Sequence, residues 1–201
     1  MVGQIAKLKR KNTYVVGSAG GAEKAKWLVN DLKFDKALDY KKFGNDSKAL
    51  KAELSKLFPK GIDVYFDNTG GLITECVWDL LNENARVVIC GQIASYGKIG
   101  FTGTGINTDS VQKINDFLFK LIYKKIRVEG FVVYSCNDWV SFYRDMKEWM
   151  SKGQIKTQET LHRGFDKIPV AFEGLFTGAN LGKTVIQVLQ SDLKHTTTSK
   201  Y

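Results

Sequence analysis

Val2, Ile5, Ala6 and Leu8 form an apolar stripe at helical spacing on an otherwise basic segment, which predicts a short opening helix. TYVVGSAGG then reads as a strand that ends in a glycine turn. From 22 to 32 the apolar residues Ala25, Leu28, Val29 and Leu32 return to three- and four-residue spacing, KALDY is a short strand, and Leu50, Leu54 and Leu57 mark a helix stopped by Pro59-Lys60-Gly61. IDVYFDNTGG predicts a buried strand and turn, residues 72–81 a helix, and ARVVICG another buried strand. A glycine-rich loop follows, then a helix over 111–124, a strand over RVEGFVVYS, and a helix carrying Trp139, Phe142, Tyr143, Met146, Trp149 and Met150. Strands alternating with helices imply a parallel sheet covered on both faces.

After Gly153 the order changes to a strand in TQETLHRGF, a short helix in IPVAFEGLFTG and a strand in GKTVIQVL. The expected division is therefore 1–152 for a partial dinucleotide-binding domain, 153–190 for strands and a helix of a second domain, and 191–201 for a polar tail. A doubly wound domain opens on a strand and a G-x-G-x-x-G/A turn, whereas the first element here is already the helix that such a turn feeds. The expectation is a Rossmann-like sheet lacking its first strand, cut from a longer chain and poor at turnover by itself.

Among the 201 residues, Lys and Arg number 30 against 21 Asp and Glu, an excess that suits a nucleic acid or a phosphorylated ligand. The lysines of KLKRK and of KKFGNDSKALKAELSK alternate with apolar residues at helical spacing, so they read as solvated helix faces, and nucleic acid is not an expected partner. No apolar run approaches the roughly 20 residues of a membrane span, and no secretory signal is evident, so a cytoplasmic protein without a membrane partner is expected. Cys76, Cys90 and Cys136 are too dispersed for a disulfide framework or a C-x-x-C metal site and read as reduced, buried thiols. His162 and His195 are isolated, so no metal site is expected.

In an open parallel sheet the ligand lies beyond the carboxyl ends of the strands. Those ends offer Gly17 to Gly21, Tyr40, Asn68 before Gly70-Gly71, the run Cys90, Gly91, Gln92, Ile93, Ala94, Ser95 and Tyr96, and then Phe131, Val132 and Val133. An NAD site would place Asp or Glu after the first strand, but VVGSAGGAEK offers Gly20 and then Lys24, whose charge suits a 2'-phosphate. Lys24 also reads as a plain surface lysine, and Lys26 is a weaker candidate.

VGQIAKLK, GIDVYFDNTGG, ARVVICGQIASY, RVEGFVVY and GLFTGANLGKTVIQV, in this order and spacing, resemble the zinc-independent medium-chain dehydrogenases and reductases of the prostaglandin reductase, leukotriene hydroxydehydrogenase and alkenal double-bond reductase family. The resemblance covers about residues 1–190. It implies an enzyme that uses NADPH to reduce the carbon–carbon double bond of an enal or enone, works as a homodimer joined through the strand at 127–134, and returns after 153 to a GroES-like catalytic domain. It makes Lys24 the 2'-phosphate contact, Tyr40 a contact to the same end, and Asn68 a cofactor anchor. Cys90 to Tyr96 become the nicotinamide lining, Phe131 to Val133 the wall beside it, and Asn180 a closing contact. Tyr96 becomes the hydrogen-bond donor to the enone oxygen. On their residues alone, Asn68 and Asn180 remain turn formers, Tyr40 a strand-end cap, Cys90 a small packed residue, Phe131 to Val133 core strand residues, and Tyr96 a packing aromatic. Residues 97–109 occupy the family's substrate loop without its prolines. A non-catalytic fragment that only folds or dimerises, and a quinone reductase relative, remain as alternatives.

Overall fold

The computed structural model describes residues 1–95, 108–135 and 137–188, except for the side chains at 95 and 108–114. The chain forms two compact units, Met1–Ile155 and Lys156–Tyr201. In the first, the order is α1 (Val2–Lys9), β1 (Val16–Ala19), α2 (Ala22–Asn30), β2 (Lys36–Asp39), α3 (Ser47–Leu57), β3 (Ile62–Asp67), α4 (Leu72–Trp78), β4 (Leu81–Ile89), α5 (Thr108–Lys124), β5 (Arg127–Gly130) and α6 (Trp139–Ser151). The second contains β6 (Glu159–Arg163), α7 (Ile168–Thr177) and β7 (Lys183–Gln187).

Among the described residues all strand pairs are parallel, as the alternation with helices requires. In the first unit β1 pairs with β2, and β3, β4 and β5 form a second sheet in that order. The registers Ala19↔Asp39 and Asp67↔Ile89↔Gly130 bring the carboxyl ends of neighbouring strands level, which sets the residues after them side by side.

The core is built from the helix stripes and from one face of the paired stretch of β4, where Ala85 and Val87 are buried. The other face, with Val64, Arg86 and Arg127, is exposed, so the expected cover on both faces is not seen among the described residues. Leu50 and Leu54 of α3, Cys76 and Val77 of α4, and Leu81, Ala85 and Val87 of β4 pack with Leu38, Ile62 and Ile126. Burying one such leucine contributes about 1.5 to 3 kcal/mol, so this cluster outweighs the weak intrinsic stability of a seven-residue helix such as α4. Asp46 caps α3 by accepting from Ala49 N–H at 2.9 Å, and Asp138 caps α6 by accepting from Ser141 N–H at 3.1 Å. Pro169 stands in the first turn of α7, and Gly178 ends that helix in the left-handed conformation at φ 70°.

Among the boundaries that differ from the sequence expectation, two are set by strand pairing. The helix expected over 72–81 ends at Trp78, and Leu81, 1% exposed, opens β4 instead. Ile62 N–H donates to the Leu80 carbonyl at 2.9 Å, so the sheet captures the chain there. The strand expected through Ser135 stops at Gly130, because β4 ends at Ile89 and its carbonyl takes one last bond, from Phe131 N–H at 3.1 Å. Val133–Ser135 then turn as a single 3₁₀ coil.

The lysines of α1 and α3 do lie on solvent-facing surfaces, several of them paired. Lys7 reaches Asp35 at 2.7 Å and Lys9 reaches Asp145 at 2.8 Å. Lys51 of α3 and Lys120 of α5 both reach Asp79. Among the described residues no helix is long and apolar enough to cross a membrane.

Candidate functional site

The turn after β3 and the segment after β4 are fastened face to face. Asp67, the last residue of β3, gives its carbonyl to Cys90 N–H at 2.7 Å and to Gly91 N–H at 3.3 Å, and Ala94 N–H donates to the Thr69 carbonyl at 2.9 Å. This close approach requires glycine at Gly91, where a Cβ would stand 2.8 Å from both the backbone oxygen and the Oδ1 of Asn68. Gly70, at φ +69°, lies against Gln92, whose Oε1 would be 2.1 Å from an added Cβ.

Behind this contact the Asp67 carboxylate is 1% exposed and fully used. Its Oδ1 accepts from Thr69 N–H at 2.9 Å and Gly70 N–H at 2.8 Å, and its Oδ2 accepts from the Thr74 hydroxyl at 2.7 Å. Since that threonine proton goes to Asp67, the Tyr65 hydroxyl 3.0 Å away donates to Thr74 Oγ1. Burial first, and the nearby Asp67 charge further, push the Tyr65 phenol well above its ordinary value, which keeps it a donor.

Beyond the ends of β4 and β5 lies an open cavity of about 480 Å³, lined by Ile89, Cys90, Gly91, Gln92, Gly130, Phe131, Val132 and Ser135. The structure thus brings Cys90 to Gln92 together with Phe131 and Val132. Ile89, Gly130 and Ser135 were not singled out from the sequence. Phe131 is seated edge-on against Phe66 of β3 with centroids 6.3 Å apart. Val132 and Val133 are 61% and 55% exposed, which corrects their reading as core strand residues: the ladder has already ended. Cys90 is likewise exposed rather than buried, being the first residue past β4, whereas Cys76 is buried. Ile93 and Ala94 are exposed on the 3₁₀ turn Ile93–Ser95. Residues 96–107, Tyr96 among them, Cys136 and His195 lie outside the described residues.

A second cluster sits at the ends of β1 and β2. A Cβ on Gly20 would stand 2.8 Å from the Tyr40 hydroxyl and 2.9 Å from Lys41 Cε, so Tyr40 and Lys41 both lie over that glycine. Asp39 Oδ1 accepts from Gly21 N–H at 2.8 Å and from Lys41 N–H at 3.2 Å, tying the two turns together. Lys24, half-buried on the first turn of α2, has its ammonium pKa lowered by burial and then by the charge of Lys41. Lys26 is paired with Glu23 at 3.2 Å. Asp39, Lys41 and Asp67 were missed from the sequence; an acidic last residue before a turn was the available signal for the two aspartates. Asn180 lies in the second unit, where its amide donates to the Gly182 carbonyl at 2.7 Å.

The fold and these two clusters define a parallel α/β unit with an open depression and a cationic turn at the carboxyl ends of its strands. Residues 1–151 match the family model described as "Zinc-binding dehydrogenase", and the chain belongs to that family, the medium-chain dehydrogenases and reductases. Prostaglandin reductase 1 of Bos taurus is 36% identical over 189 residues, covering 93% of this chain and 52% of its own length. The NADPH-dependent curcumin reductase of Escherichia coli is 34% identical over 195 residues, covering 95% and 52%. The crystal structure of CurA from Vibrio vulnificus in complex with NADPH superposes with a TM-score of 0.80 at 35% identity, covering 94% of this chain and 53% of that one. The chain spans about half the length of the curated relatives it matches. Among the described residues no group of three or more His, Cys, Asp or Glu side chains is placed to hold a metal ion.

Proposed function

We propose that this chain contributes the nucleotide-binding part of an NADPH-dependent reductase acting on the carbon–carbon double bond of α,β-unsaturated aldehydes or ketones. The observation that carries this reading is the meeting, at the ends of β1 and β2, of Gly20, which leaves no room for a Cβ, with a half-buried lysine beside a second cation. Such a surface suits a phosphorylated dinucleotide: Gly20 lets Tyr40 and Lys41 close over the end of β1, and an anion there relieves the strain on the Lys24 charge. The names of the relatives support the same cofactor and reaction class.

In this reading Lys24 and Tyr40 hold the phosphorylated ribose. Asn68 and the backbone of Cys90 to Ser95 line the nicotinamide end, and Phe131 to Val133 form the wall that limits water beside it. When bound, NADPH supplies the hydride that the β-carbon of the enone accepts. As charge grows on the carbonyl oxygen, Tyr96 holds a proton there and lowers the cost of that charge. Lys24→Ala weakens NADPH binding by about 10- to 150-fold, the range for losing a hydrogen bond to a charged group, and leaves NADH within about twofold. Fluorescence titration with both cofactors checks this, and equal weakening of the two would make Lys24 structural.

The same reading includes self-association through β5. Every residue of β5 is exposed, and Val132, Val133 and Tyr134 beside it are 61%, 55% and 90% exposed. The backbone edge of an exposed strand can pair with another copy, and the exposed apolar residues just past its end add contact area. Sedimentation should find a dimer whose dissociation constant rises at least about 10-fold on replacing Val132 and Tyr134 with aspartate. A monomer at micromolar concentration would refute self-association.

A further inference from the structure

We propose that Lys41 is a second cation of the phosphorylated-ribose site, so that Lys24 and Lys41 together select a nucleotide carrying a 2'-phosphate. This deepens the nucleotide reading given above and rests on it. The sequence offers Lys36, Lys41, Lys42 and Lys48 around the end of β2, and nothing in their spacing separates them. The fold does separate them. The parallel register Ala19↔Asp39 sets the end of β2 beside the end of β1, and the next four residues, Tyr40–Phe43, coil as one 3₁₀ turn. That turn carries the Lys41 stem back over Gly20, with its Cε 2.9 Å from where a Cβ of residue 20 would stand, beside the Tyr40 hydroxyl at 2.8 Å.

This placement is held from below. One carboxylate oxygen, Asp39 Oδ1, accepts from the N–H of Gly21 and from that of Lys41, so the turn that starts α2 and the turn that follows β2 cannot separate without breaking a shared bond. Lys24 rises from the first turn of α2, and the charge of Lys41 is felt at its ammonium group. Bringing two ammonium groups together costs energy by Coulomb repulsion, and a doubly charged phosphate between them reverses the sign of that cost. A nucleotide with only a ribose hydroxyl at this position has no charge with which to do so. Discrimination therefore comes from the pair: the phosphorylated ribose relieves a repulsion already present in the free protein, and the other nucleotide gains nothing from it. Its place over Gly20, beside the Tyr40 hydroxyl, makes Lys41 the companion of Lys24.

The test uses the unaltered 201-residue chain and two small probes, adenosine 2',5'-bisphosphate and adenosine 5'-monophosphate, titrated by calorimetry at low and moderate salt. Lys41→Ala should weaken the bisphosphate by about 5- to 50-fold and the monophosphate by less than about twofold, with a shallower salt dependence. Lys41→Arg should recover most of the loss, and Lys42→Ala should change neither probe. Lys41 is exposed, so thermal melts of the variants should coincide with that of the parent. If Lys24→Ala weakens the bisphosphate while Lys41→Ala leaves it within twofold, the two-lysine site is wrong and the nucleotide site stands. If the unaltered chain does not prefer the bisphosphate, the nucleotide reading itself fails, and the role of Lys41 with it.

Discussion

Replacing Asp67 with alanine should destabilise the first unit by about 3 to 5 kcal/mol, the largest loss expected from any single side chain in the site. The carboxylate is 1% exposed and satisfies Thr69 N–H, Gly70 N–H and the Thr74 hydroxyl at 2.7 to 2.9 Å. Alanine leaves those donors without an acceptor, in a place where Gly70 is itself buried and water has no clear access. Each stranded donor costs about 1 to 3 kcal/mol, and relaxation recovers part of the sum. Asp67→Asn separates this cause from simple loss of volume. Its amide oxygen can still serve the two backbone N–H groups, while its NH₂ replaces the acceptor that Thr74 needs, so about 1 to 2 kcal/mol should be lost. Urea unfolding followed by fluorescence gives both values. A loss below about 1 kcal/mol for Asp67→Ala would mean that the turn is held by its glycines and backbone bonds alone.

The second large effect concerns turnover. If Tyr96 donates to the enone oxygen, Tyr96→Phe keeps the ring and removes the donor. Turnover should then fall by about 10- to 1,000-fold while NADPH affinity changes little. The measurement pairs NADPH oxidation on a medium-length 2-alkenal with a cofactor titration. It is made in a fusion joining this chain to the part of a curated relative that the chain does not span. Unchanged turnover would reduce Tyr96 to packing. A fall in affinity matching the fall in turnover would make it a cofactor contact, and the proton donor would have to lie elsewhere.

The order of elements was legible along the chain, because a helix or strand that buries one face must repeat its apolar residues at a matching period. Leu50, Leu54 and Leu57 marked α3 in this way, and of the strand-end residues named from the sequence Cys90 to Gln92, Phe131 and Val132 line the cavity. Element length was less legible, because a strand continues only while a neighbour offers backbone partners. β5 therefore stops at Gly130 although Phe131, Val132 and Val133 are good strand formers, and Leu81 leaves its expected helix because β3 claims the chain there. The exposure of Cys90 follows from the same cause, one residue after the β4 ladder ends.

Which polar side chains serve the site is decided still further from the sequence. Asp39 and Asp67 each end a strand, and only the level carboxyl ends of parallel neighbours turn them into ties between two loops. Lys24 could be singled out by its place on the first helical turn after a glycine pair. Lys41 could not, since one lysine among several gains its meaning only when a 3₁₀ turn lays it over Gly20, some twenty residues earlier in the chain. Periodicity is a local property and the sequence holds it by itself; proximity between turns belongs to the register of the strands beneath them, and exists only once the sheet has formed.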